Sequence, residues 1–144
     1  MVDRRGDRAV GLGQDLNRSA DLRRPAPFWT PEWPADAPII DAIAPEGDFN
    51  ALTGALGSVG LGSVPTWLRP YPVLSNGEKF RADLARLVCD SPERAIVDEF
   101  TSVVDRQIAK FGALAFAKAW RRLKAKKVVL LTPHYDVVEH PVGF

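Results

Sequence analysis

The run Ala95-Ile96-Val97 stops at two adjacent carboxylates, Asp98 and Glu99. A short apolar run bounded by polar residues predicts a buried strand, usually a parallel one. In open α/β sheets, ligands sit beyond the carboxyl ends of such strands. The strand therefore delivers two acids to the rim where chemistry normally happens. Asp98 can hold a metal ion through oxygen, as Mg²⁺ prefers. Glu99 can take a proton from an attacking water. The plain alternative is a strand end carrying two solvated acids, and the flanking sequence has to decide between the two.

Downstream, Lys127-Val128-Val129-Leu130-Leu131 is a second apolar run, leading into Thr132-Pro133-His134-Tyr135-Asp136. Residues 103–123 between the runs predict a long helix, with Ile108, Phe111, Leu114, Ala115 and Trp120 as its buried side. Gly112 within it costs about 1 kcal/mol against alanine, which points to close packing there. Strand, helix, strand makes a βαβ unit with parallel strands. If the two strands are neighbours, His134 joins Asp98 and Glu99 on one rim. The basic end of the helix, from Lys118 to Lys127, suits the negative end of a helix dipole.

Upstream, residues 74–88 read LSNGEKFRADLARLV. Ser75 followed three residues later by Glu78 is a capping-box pattern. Phe80, Leu84, Leu87 and Val88 form one apolar face, and Lys79, Arg81, Asp83 and Arg86 lie largely off it. The helix starts at Asn76-Gly77, where free amides and the positive dipole end make a natural anion site.

The remainder supplies a frame. With 144 residues and 46% hydrophobic content the chain can build one domain with a real core. A net charge of +1 supplies no global field favouring nucleic acid or an anionic membrane. The single cysteine, Cys89, excludes an internal disulfide framework and a cysteine-cluster zinc site. The absence of an apolar leader core or a membrane-length run predicts a cytoplasmic protein with no membrane insertion. Asp48 is positioned to cap a helix over residues 49–59, with Phe49, Leu52, Leu56 and Val59 at helical spacing. The glycines of residues 54–62 do not make a phosphate loop, since no strand precedes them and no Lys-Ser/Thr comes after. Residues 25–38 carry five prolines, which forbid a helix there. Phe28, Trp29 and Trp33 are expected to tuck against the body as a strap. The expected organisation is a charged, Pro-rich, poorly ordered extension over 1–38, a helical subdomain over 39–90, and an α/β core over 91–144.

These pieces, in this order, resemble the second half of an ABC-type ATPase domain. LSNGE is similar to the family's signature motif, AIVDE to its Walker B strand with the adjacent glutamate, and SVVD, residues 102–105, to its D-loop. His134 resembles the switch histidine. The resemblance implies an α/β fold: a partial P-loop NTPase core with parallel strands and a helical subdomain. It implies ATP and Mg²⁺ as cofactors, with Asp98 ordering the metal, Glu99 polarising the water and His134 contacting the γ-phosphate. The turn Ser75-Asn76-Gly77-Glu78 would bind the γ-phosphate of a nucleotide held by a second ABC-type subunit, in a head-to-tail dimer. Asp105 would couple the two sites. Asn76, Glu78, Phe100 and Val104 depart from the usual Gly, Gln, Pro and Leu. No G-x-x-x-x-G-K-S/T occurs in the sequence, so the backbone cradle and phosphate lysine are missing. The expectation is a fragment unable to hydrolyse ATP alone. Two other readings are carried: a non-enzymatic ABC-like interaction module, and, ranked last, a nucleic-acid-binding basic helix over 106–127.

Overall fold

The computed structural model describes residues 25–43, 47–123 and 126–133. His134 and residues 1–24, on which two of the expectations fall, lie outside them. Among the described residues five α-helices and two strands run in order: α1 (Ile39–Ile43), α2 (Phe49–Ser58), α3 (Val64–Trp67), α4 (Asn76–Asp90), β1 (Arg94–Val97), α5 (Arg106–Trp120) and β2 (Lys127–Leu130). A 3-10 turn at Tyr71–Val73 leads into α4.

The fold is α/β with a small parallel sheet. β1 and β2 are direct neighbours, with Ala95 opposite Val128 and Val97 opposite Leu130. The ladder continues past the strands, as Leu131 N donates to Val97 O at 2.9 Å and Phe100 N to Leu131 O at 2.9 Å. On its other edge β1 takes a single parallel bridge from Phe28. The far edge of β2 has no strand partner among the described residues, and Val129 and Leu131 stand 51% and 44% exposed beside it.

Helix α4 is set by its ends. Ser75 Oγ accepts from Glu78 N at 3.3 Å, while Glu78 Oε2 accepts from Ser75 N at 2.8 Å. That reciprocal pair satisfies two donors the helix cannot satisfy itself. At the other end Ser91 adopts left-handed backbone, φ 36°, and donates to Leu87 O. Phe80, Leu84 and Leu87 are buried, as their spacing predicts. Each such side chain contributes about 1.5–3 kcal/mol on leaving water.

Helix α5 begins at Arg106, three residues later than Val103. Asp105 caps it, Oδ1 accepting from Gln107 N at 2.9 Å and Ile108 N at 3.1 Å, while residues 99–104 form turns. Its buried side is also rotated from the expected one. Phe111 and Leu114 are exposed, and Ala109, Gly112, Phe116, Ala119 and Trp120 face inward. The small residues of that stripe let α5 approach α4, with Gly112 against the Phe80 ring. A line of aromatics, Phe80, Phe100, Phe116 and Trp120, then runs through the core with successive centroids 5.3–6.2 Å apart.

In α2, Asp48 caps through Asn50 N as predicted, and Leu52, Leu56 and Val59 are buried. Phe49, expected on that face, is the first residue of the helix and is exposed. Among the described residues no helix is long and apolar enough to cross a membrane.

Candidate functional site

Asp98 and Glu99 stand exposed at the carboxyl end of β1, on a turn that is firmly anchored. Phe100 and Thr101 are buried, and the Thr101 and Thr132 hydroxyls share a hydrogen bond that ties the turn to the end of β2. The acids are therefore carried on a rim rooted in the core. Asp98 Oδ1 accepts from the Glu99 amide at 2.9 Å. Glu99 is held at φ 49°, a left-handed conformation that costs a side-chain-bearing residue about 1–2 kcal/mol.

A groove of about 290 Å³ opens beside these acids. Its walls come from α4 (Phe80, Asp83, Leu84), from the turn after β1, and from the strap residues Phe28 to Pro31. None of Ser75, Asn76, Gly77, Glu78 or Asp105 lines it. The signature-like turn lies elsewhere, against the start of α5, where a Cβ on Gly77 would meet Ile108 Cδ1 at 3.4 Å. Two helix N-termini thus lie side by side, those of α4 and α5, with Ser75, Asn76 and Asp105 exposed on them. Glu78 is additionally tied to Thr66 Oγ1 at 3.3 Å, with Arg69 at 4.0 Å. The hydrogen bonds from Ser75 are the main reason its carboxyl sits below the ordinary carboxylate range. Glu78 and Asp105 are thus already employed in capping their own helices.

The groove wall contains a residue that sequence patterning placed off the apolar face of its helix. Asp83 accepts from Trp33 Nε1 at 2.7 Å and from Tyr71 Oη at 2.9 Å. The two donor rings stack at 4.7 Å with 8° between their planes. Burial pushes the Asp83 carboxyl up to about 6, against the pull of both hydrogen bonds and of Arg86 and Lys79. Burial, then the Asp83 charge, pushes the Tyr71 phenol upward as well. The available sequence signal was the pair of strap tryptophans, since a buried indole N–H needs an acceptor.

The donor chemistry at the rim tests the metal expectation. Among the described residues no group of three or more His, Cys, Asp or Glu is poised around one point. Asp98 supplies hard oxygen, with one oxygen already engaged by the Glu99 amide. That fits Mg²⁺ held by one carboxylate together with phosphate oxygens and waters, and does not fit a dedicated protein cage.

No family model and no curated protein matches the chain. Among solved structures the fold matches a chain from an inward-facing structure assigned to a metal-chelate type ABC transporter, with a TM-score of 0.58 and 17% identity. The match covers 89% of this chain and 60% of that one, so this chain spans less than two thirds of its neighbour's length. At that identity the likeness shows the fold.

Proposed function

We propose that this chain is the part of an ABC-type ATPase that carries the signature-like turn, the Walker B-like strand and the D-loop-like turn. The observation that supports it best is the pairing of β1 and β2 as parallel neighbours. That pairing gives Asp98 and Glu99 a common rim with the end of the strand leading to His134. The fold likeness to a chain from an ABC transporter structure supports the same reading.

In this reading phosphoryl transfer asks the protein chiefly for positioning and charge stabilisation. Asp98 would hold Mg²⁺, which when bound neutralises developing charge on the phosphate oxygens. Glu99 would orient a water and accept its proton, from a turn fixed by Phe100 and Thr101. Ser75 and Gly77 lie outside this chain's own groove, which suits a turn that serves a nucleotide on a second subunit. These 144 residues hold no phosphate loop, so the cradle and its lysine would come from outside them.

Two measurements test this. The purified chain is expected to show no ATP turnover above background, and robust turnover abolished by Glu99→Gln would overturn the fragment reading. ATP-dependent pull-down of an ABC-type subunit bearing an intact phosphate loop is expected, and should be lost in Ser75→Arg. Pairing that ignores both nucleotide and that substitution would leave a plain interaction module in its place.

A further inference from the structure

The segment from Pro25 to Pro38 makes its polar side-chain attachment to the body on one stripe of one helix. Five prolines leave it few amide donors. Only two backbone hydrogen bonds join it to β1: Trp29 N to Ile96 O at 2.8 Å, and Ile96 N to Pro27 O at 2.9 Å. Phe28 is 67% exposed, so its ring adds little anchorage. Trp33 also stacks on Tyr71, and Pro38 bridges Pro70 at the segment's far end. Its polar side-chain attachment falls on Asp83, Arg86 and Asp90, spaced i, i+3 and i+7 along α4 and so on one face. Trp33 donates to Asp83, the Arg86 guanidinium lies over the Trp33 ring at 4.9 Å and donates to Glu32 O, and Trp29 Nε1 donates to Asp90 at 3.1 Å.

We propose that this segment is a releasable strap, latched on the Asp83–Arg86–Asp90 stripe, whose detachment unroofs the groove beside Asp98 and Glu99. Phe28, Trp29, Thr30 and Pro31 form one wall of that groove, so their departure converts a walled slot into an open face. The inference stands apart from the ATPase reading, because it concerns only how the wall is held.

The latch carries its own control. The groups around Asp83 are Trp33 from the strap, Tyr71 from the 3-10 turn, and Lys79 and Arg86 from its own helix. Glu32 precedes Trp33 on the strap, and Asp98 and Glu99 lie across the groove. The closed strap keeps the Asp83 carboxyl out of water, which favours its protonated form. With the strap away, the carboxyl returns toward its ordinary value of 3.8. The closed state is therefore favoured at acidic pH and loosens as pH rises through about 6.

Amide hydrogen exchange of the full chain tests this. Protection of Ile96 and Trp29, corrected for base-catalysed intrinsic exchange, is expected to fall about ten-fold between pH 5 and pH 8. Asp83→Asn should flatten that dependence. Trp33→Ala should remove protection at these two amides at every pH while leaving Phe100 and Leu131 protected. If Trp33→Ala exposes Phe100 and Leu131 equally, the segment is part of the global fold and not a releasable strap. If protection of Ile96 does not change with pH, or changes equally in Asp83→Asn, the latch assignment is wrong.

Discussion

Gly112 of α5 lies so close to Phe80 of α4 that a Cβ built on it would come 2.3 Å from the Phe80 Cε1 atom. Phe80 is itself buried and packs edge-on against Phe100, with ring centroids 5.3 Å apart. Alanine at this position would gain about 1 kcal/mol of helix propensity. Overpacking a buried ring costs about 1–3 kcal/mol and forces the helices apart. Gly112→Ala is therefore expected to destabilise the protein by up to about 2 kcal/mol in urea denaturation. A gain in stability would mean that the α4–α5 contact is looser than the geometry indicates.

Glu99 is a functional candidate in a backbone conformation that suits glycine, φ 49°. The clean comparison is Glu99→Gly with Glu99→Ala, since both remove the carboxylate and only alanine keeps the Cβ. The glycine variant should be the more stable of the two by about 1 kcal/mol. Equal midpoints would show that the turn carries no backbone strain.

Two carboxyls should give stability opposite slopes with pH. Glu78 is held below its ordinary value by its capping hydrogen bonds with Ser75. Its contribution is present above that ordinary value and is lost as pH falls through the lower, folded one. Asp83 is raised from 3.8 to about 6, so its contribution is present below 3.8 and is lost as pH rises through about 6. Glu78→Gln should flatten the acid limb of the stability profile. Asp83→Asn should gain on the parent chain between pH 4 and pH 7. Parallel pH profiles for the parent chain and both variants would contradict this assignment.

The readable parts of the sequence were those whose signals are local. The Ser75–Glu78 box, the Asp48 cap and the two apolar runs each specify their element within a few residues, and the structure places them there. The buried side of α5 was misread because large side chains outweigh small ones in a periodicity argument. Phe111 and Leu114 suggested one face, yet Ala109, Gly112 and Phe116 are the buried ones, and α5 comes up to α4 at Gly112, where closeness and not bulk decides. Asp83, Arg86 and Asp90 were hidden for a different reason. Charges on a helix ordinarily face water, and nothing within α4 reveals that two indoles fifty to sixty residues earlier will need acceptors. The start of α5 was missed because Asp105 stands beside the apolar Val103 and Val104, whose hydrophobicity extended the helical pattern backwards across a cap.

The sheet has one finished flank and one live one. β1 is met on both sides, by β2 and by a single bridge from the strap, whereas among the described residues the outer ladder groups of β2 have no strand partner and are left to water or another backbone. A further strand joining this sheet would therefore add beside Val129, and a lysine at that position would oppose it.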